Sequence, residues 1–106
     1  MELDIKIEQS SMRVSIHTEK LEGEIPIFES VLAKHNENGG KVGKIVFDFD
    51  EVQYINSLGI AEFISIIRYF SGLNDKTKFK FINLDKKIAK VFKMVEMHNL
   101  ADLDTK

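Results

Sequence analysis

The sequence lacks cysteine and tryptophan and contains a single proline. Without cysteine the chain has no disulfides, thiolate metal sites or cysteine nucleophile, and nothing in its composition favours secretion. No apolar stretch is long enough to span a bilayer, since Glu62 and Ser65 interrupt the longest one. The first residues also lack the basic and apolar segments of a signal peptide. We therefore expect a cytoplasmic protein without membrane insertion.

The sequence also lacks an excess of charge of either sign, because the formal net charge is only −2. Such a balance gives no general attraction to nucleic acid, so we expect no direct nucleic-acid contact. Hydrophobic residues make up 43% and charged residues 30% of the chain, which is typical of a globular protein. At 106 residues, the length suits one domain, residues 1–106, and no pattern asks for a cofactor.

The first third of the chain predicts a hairpin and a helix. Apolar and polar residues alternate over residues 3–8 and 12–16, on either side of a tight turn at Gln9-Ser10-Ser11. From Pro26 the apolar residues recur at helical spacing, which predicts a first helix to about Asn36.

The rest of the chain alternates strands with helices. An apolar strand begins at Lys44 and it, or its extension, reaches Ile55; a last strand covers residues 78–84. A helix from Ser57 to about Ser71 lies between them, and Asp85 is expected to cap the final helix. The predicted fold is α/β, a mixed sheet of about four strands with an N-terminal hairpin and about three helices.

The junction at residues 54–61 is the most informative segment, because a strand there leads directly into an apolar helix. Asn56 and Ser57 are short polar residues at the helix start, where such side chains satisfy unpaired backbone N–H groups. The same N–H groups favour a phosphate. Ser57 is therefore a candidate helix cap, a candidate phosphorylation site, or both.

The helix after Ser57 is apolar on nearly every side. One stripe, formed by Ile60, Ile64 and Ile67, is expected to pack on the sheet. Two interpretations of the remaining apolar residues stay open: neighbouring helices cover them, or they form a protein-binding surface. These residues are Leu58, Phe63, Ile66 and Phe70.

Enzyme chemistry finds little support in the sequence. No feature pairs Ser57 with a histidine as general base, and His17, His35 and His98 are expected at the surface. Carboxylates follow the central strand at Asp48, where they could bind Mg²⁺ or act as acid and base. Solvated charges at a strand end are the simpler interpretation.

The junction resembles a known family. Residues 44–61 resemble the central segment of STAS domains, in particular the bacterial anti-sigma factor antagonists, in which Asp-Ser-Ser-Gly-Leu-Gly opens a helix. In this comparison Asn56 corresponds to the Asp, Ser57 to the first Ser and Ala61 to the last Gly. Residues 81–100 resemble the last strand and helix of the same family.

The resemblance implies a STAS-like domain that is not an enzyme. In the family, a partner that is both serine kinase and anti-sigma factor phosphorylates the first Ser, and the unphosphorylated antagonist binds that partner and so releases a sigma factor. Carried over, Ser57 is the phosphorylation site and a serine phosphatase reverses it. The implied partner-binding residues are Glu22, Asn56, Leu58, Ile60 and Phe63.

Other readings remain beside this one. The domain could be an unphosphorylated STAS subunit of a sensory or lipid-trafficking assembly, or a small enzyme that uses the carboxylates near Asp48. The expected oligomeric state is a monomer or a weak dimer.

Overall fold

The computed structural model of the protein describes residues 2–106. The elements are β1 Leu3–Glu8, β2 Ser11–Ile16, β3 Lys20–Leu21, α1 Ile27–Glu37, β4 Lys44–Asp48, β5 Tyr54–Ile55, α2 Ser57–Leu73, β6 Lys78–Leu84, α3 Lys86–Met94, a 3₁₀ turn Met97–Asn99 and β7 Asp102–Thr105. The main sheet has five strands in the order β1-β2-β4-β6-β7, and β3 and β5 form a separate two-stranded sheet. β1 and β2 form an antiparallel hairpin, whereas β2, β4, β6 and β7 are parallel.

The predicted mixed α/β fold with an N-terminal hairpin and three helices is confirmed, but the strand count of about four is too low. The polar C-terminal residues form β7, which pairs with β6 through Leu103 and Phe81. The central strand ends at Asp48, because the chain turns there and the Asp48 carboxylate accepts a hydrogen bond from the Asp50 N–H. Of the expected extension to Ile55, only Tyr54 and Ile55 form a strand, and that strand belongs to the separate small sheet.

The core lies between the main sheet and a single layer of helices. Five phenylalanine rings pack together there, with centroid distances of 4.9 to 5.9 Å between contacting pairs. The opposite face of the sheet carries polar side chains such as Arg13 and Lys80. All three helices therefore pack on one face, and a helix between its neighbours has little surface left. The rings are those of Phe47, Phe49, Phe63, Phe81 and Phe92.

A hydrogen bond and an aromatic contact join α1 to α2. The Phe28 N–H, in the first turn of α1, donates a hydrogen bond to the Glu62 carboxylate on α2 at 3.0 Å. At the other end of α1 the His35 ring packs edge-on against Phe70, with centroids 4.8 Å apart. His35 is thus buried, and its expected surface position is wrong. His17 and His98 are exposed, as predicted.

Candidate functional site

The start of α2 is held in place by the small sheet. β3 and β5 pair in parallel, with Leu21 opposite Ile55. The next residue, Asn56, donates its backbone N–H to the Leu21 carbonyl oxygen at 3.0 Å. The loop after β3 therefore lies directly beside the first turn of α2, although more than thirty residues separate them in the sequence.

Asn56 is the helix cap. Its backbone is extended, with φ −101° and ψ −177°, and its side-chain oxygen accepts the Gly59 N–H at 3.0 Å. The side-chain amide also donates to the Glu22 carbonyl oxygen at 3.5 Å. Ser57 is consequently the first helical residue, and its side chain is exposed. The sequence left open whether Ser57 caps the helix. Asn56 is the cap, so the Ser57 hydroxyl is not needed for that role.

Two glycines allow the loop and the helix to approach closely. A Cβ atom on Gly59 would lie 2.8 Å from Ile55 Cγ1 and 2.9 Å from the Leu21 carbonyl oxygen, closer than packed atoms allow. Gly23 adopts a φ of +92°, and a Cβ atom there would lie 2.9 Å from the Leu58 Cβ. The 22–24 loop and the first turn of α2 therefore form one continuous surface around Ser57.

This surface combines exposed apolar groups with acidic ones. Leu58 is 65% exposed and Tyr54, on β5, is 48% exposed. Glu22 and Glu24 are exposed in the adjoining loop, and the Glu22 N–H donates to the Glu24 carboxylate. Tyr54 was missed in the sequence analysis, although alternation with the apolar Ile55 could have placed it outward.

The structure brings Glu22, Asn56 and Leu58 together at Ser57, but it buries the other two residues assigned to partner binding. Ile60 is only 9% exposed and Phe63 is fully buried, because both side chains point towards the core. The assignment of these two residues to a contact surface is therefore wrong.

The apolar face that could have bound a partner is also largely absent. Ile66 and Phe70 are buried together with Phe63, so neighbouring elements cover all of these residues except Leu58. The exposed stripe of α2 continues through small and polar residues as far as Arg68, and Tyr69 and Leu73 are exposed near the end of the helix. Beyond Ser57 and Leu58 this stripe comprises Ala61, Ser65 and Arg68.

Asp48 is a structural carboxylate. It accepts hydrogen bonds from the Asn83 side-chain amide at 3.0 Å, from the Arg13 guanidinium at 2.8 Å and from the Asp50 N–H at 3.0 Å. Partial burial raises the pKa of Asp48, but these hydrogen bonds and the Arg13 charge outweigh burial and hold the pKa below its ordinary value. A carboxyl group kept ionised in this way is poorly suited to act as a general acid.

Two other kinds of site are absent from residues 2–106. No group of three or more His, Asp or Glu side chains is arranged to hold a metal ion. None of the helices in this range combines the length and apolarity needed to cross a membrane.

Comparison with known proteins rests on structure, since neither a protein-family model nor a curated protein sequence matches the chain. The anti-sigma factor antagonist SpoIIAA in its unphosphorylated form superposes with a TM-score of 0.67 and 14% identity, over 98% of this chain and 87% of that one. The phosphorylated form of the Bacillus cell fate determinant SpoIIAA gives a TM-score of 0.67 and 15% identity, over 98% and 92% of the two chains.

Two other solved structures extend the comparison. A candidate anti-sigma factor antagonist from Thermotoga maritima has a TM-score of 0.69 and 17% identity, over 98% of this chain and 86% of that one. The murine anion transporter Slc26a9 has a TM-score of 0.70 and 14% identity over 95% of this chain, which spans only 17% of the transporter. The chain thus has the fold of the anti-sigma factor antagonists, and the expected STAS-like fold is confirmed.

The Asn56 cap can be tested by substitution. We expect Asn56→Ala to lower the free energy of unfolding by about 1 kcal/mol, because the Gly59 N–H loses its acceptor. Asn56→Asp keeps an acceptor oxygen and should change stability by less than about half of that. Urea denaturation followed by circular dichroism measures both, and equal stability of the alanine variant and the unmodified protein would contradict the capping role.

The lowered pKa of Asp48 predicts that the stability contributed by this residue depends on pH. We expect Asp48→Asn to lower the free energy of unfolding by roughly 1 to 2 kcal/mol at pH 7, because the Arg13 guanidinium loses its charged acceptor. Since the folded-state pKa of Asp48 is lowered, its stabilisation is present above the ordinary carboxyl pKa. It is lost as the pH falls through the folded-state value.

Urea denaturation across this acidic range should therefore show the Asp48→Asn difference shrinking. Asp50→Asn, at an exposed residue near Lys106, is the control and should change little at any pH. A difference for Asp48→Asn that grows on acidification would contradict this account.

Proposed function

We propose that the protein is an anti-sigma factor antagonist, a binding module without enzymatic activity that is switched by phosphorylation of Ser57. The observation that carries the proposal is the exposed Ser57 side chain at the first position of α2, free of the capping role and next to the exposed Leu58. The fold supports it, because the structures with this fold include an antagonist solved in both unphosphorylated and phosphorylated forms.

The proposed docking surface is the patch around Ser57, formed by Tyr54, Asn56, Leu58 and Glu22. Leu58 supplies the largest exposed apolar side chain in the first turn of α2, and such a group gains most when a partner buries it. Ile60 and Phe63 support this surface indirectly, because their buried side chains fix the helix on the sheet and hold Leu58 in position. The proposed partner is an anti-sigma factor with serine kinase activity.

A phosphate on Ser57 should leave the fold intact. It would add a charge of roughly −1.5 to −2 at a helix N-terminus, where the helix dipole favours an anion. Within residues 2–106 the Ser57 and Leu58 N–H groups have no hydrogen-bond acceptor, so they are free to face the phosphate. We therefore expect little change in stability on phosphorylation.

The same phosphate should abolish docking. Glu22 and Glu24 already make the adjoining loop negative. A partner that buries Leu58 would also have to bury the phosphate, at a cost of several kcal/mol. In the proposed cycle the unphosphorylated protein binds its partner in the cytoplasm and so releases a sigma factor. Phosphorylation ends that binding, and a serine phosphatase restores it.

Mapping of the phosphorylated residue and measurement of partner binding together test this proposal. Incubation with the cognate kinase and ATP should place one phosphate on Ser57, as mapped by mass spectrometry, and Ser57→Ala should remain unmodified. Ser57→Asp should bind the kinase at least about tenfold more weakly than Ser57→Ala, because only the aspartate adds charge to the contact. The melting temperatures of the two variants should differ by no more than about 3 °C.

Ser65→Ala is the matched control, because Ser65 is another exposed serine on the same helix. This variant should be phosphorylated and should bind like the unmodified protein. Modification of Ser65 in place of Ser57, or equal binding by Ser57→Asp and Ser57→Ala, would rule out a switch at Ser57.

A second function is favoured by one observation. The same fold occupies only 17% of an anion transporter, so it also serves as one part of a larger protein. The protein could thus act as an unphosphorylated subunit of a sensory or lipid-trafficking assembly. Failure of a cognate kinase to modify Ser57, with association through the same patch retained, would favour this alternative.

A further inference from the structure

The two edges of the main sheet differ in how well they are protected against pairing. β7, at one edge, has four residues, an irregular register with β6 and two aspartates, Asp102 and Asp104. β1, at the other edge, has six residues in regular register with β2 and contains neither proline nor a bulge. A long, regular edge strand is a template for pairing with another strand.

The main-chain groups on the free side of β1 are those of its odd-numbered residues. The His17 N–H donates to the Glu2 carbonyl oxygen, and the hairpin turn closes on the Glu8–Ser11 pair. In an antiparallel ladder hydrogen-bonded pairs alternate with non-bonded ones, so the even-numbered residues of β1 bond to β2. The N–H and C=O groups of Leu3, Ile5 and Ile7 therefore point away from the sheet.

An open groove with both apolar and charged walls runs beside this edge. The side chains of Leu3, Ile5 and Ile7 pack against the core but stay partly exposed. Ala33, Lys34 and Glu37 on α1 form the opposite wall of the groove. A second strand added at this edge would place its own side chains beside these apolar ones on the same face of the sheet.

The other face of β1 carries the charges of Asp4, Lys6 and Glu8. Lys6 lies directly opposite Arg13 in the hairpin, and Arg13 is already paired with Asp48. The Lys6 Nζ lies 3.9 Å from the Asp4 carboxylate of its own strand, and both side chains are exposed. An acidic side chain on the free side of Lys6 would give it a second partner, and a second copy of β1 can supply that side chain.

We propose that β1 pairs antiparallel with β1 of a second copy of this chain, with Ile5 opposite Ile5 at the two-fold axis. In this register Asp4 lies opposite Lys6 of the second copy, and the symmetry makes this ion pair twice. Leu3 lies opposite Ile7, so the apolar side chains meet on the helix face. The outward main-chain groups of the odd-numbered residues bond across the axis.

The neighbouring registers either place like charges opposite each other or need a residue that is not in strand conformation. A pair centred on Lys6 places lysine opposite lysine and Asp4 opposite Glu8, and one centred on Asp4 places aspartate opposite aspartate. A pair centred on Ile7 needs Gln9 to continue the strand, but Gln9 has a φ of +56° in the hairpin turn. The sequence of β1 therefore selects the Ile5-centred register.

Analytical ultracentrifugation with charge-swapped variants tests this dimer, independently of the proposed function. The unmodified protein should shift with concentration from 12.2 kDa towards twice that mass. Asp4→Lys and Lys6→Asp should each weaken association about tenfold or more, because two attractive pairs become repulsive. The double variant Asp4→Lys/Lys6→Asp should restore it, since the opposite charges still meet in this register.

Asp102→Lys, on the opposite sheet edge, is the matched control and should associate like the unmodified protein. Far-ultraviolet circular dichroism verifies that each variant is folded, and Asp4→Arg with Lys6→Glu repeats the swap if a variant is not. A protein that stays monomeric up to about 1 mM overturns the proposal. A double variant that remains as weak as the single ones also overturns it, because a different register or surface must then be used.

Discussion

The structure around Ser57 depends on the two-sided attachment of Asn56. Its backbone N–H binds the Leu21 carbonyl oxygen, and its side chain accepts the Gly59 N–H, so one residue joins the small sheet to the first turn of α2. The 22–24 loop is thereby fixed against the helix, and Leu58 and the Ser57 side chain are directed outward. A patch built in this way presents a defined surface without burying the residue that would be modified.

The rest of α2 provides a rigid base for that patch. Phe63 packs among the phenylalanine rings of the core, and Ile60 lies just above them. A new charge at Ser57 therefore meets the N-terminus of a helix that is held along its length by other contacts. In the proposed switch, phosphorylation would change the surface while the packing that determines the fold would stay the same.

Strong local patterns in the sequence predicted most of the fold. The hairpin, the three helices and the junction before Ser57 all follow from clear periodicity or from polar residues at a helix start. The residues of β7 and of the small sheet could not be identified in this way, because each pairs with a distant segment and is too short or too polar to show a period. The proximity of Glu22 to the junction came from the family resemblance.

The main error at the site concerned which side chains of α2 are buried. A helix that is apolar on nearly every side has no stripe to indicate which residues face inward, so Phe63 was placed on the wrong side. Its burial depends on packing against the Phe47, Phe49 and Phe81 rings, which the helix sequence does not contain. Leu58 stays exposed because it lies at the helix end, where its neighbour in the adjoining loop is Gly23, which has no side chain.

The account is tested most directly by the nuclear magnetic resonance spectrum of the protein carrying phosphoserine at residue 57. Backbone amide shifts should change in the 22–24 loop and the first turn of α2, while those of β4 and β6 stay as in the unmodified protein. The downfield shift of the residue 57 and 58 amides would indicate bonding to the phosphate. Shift changes throughout the phenylalanine core, or loss of the folded spectrum, would contradict the claim that Ser57 is modified on an intact scaffold.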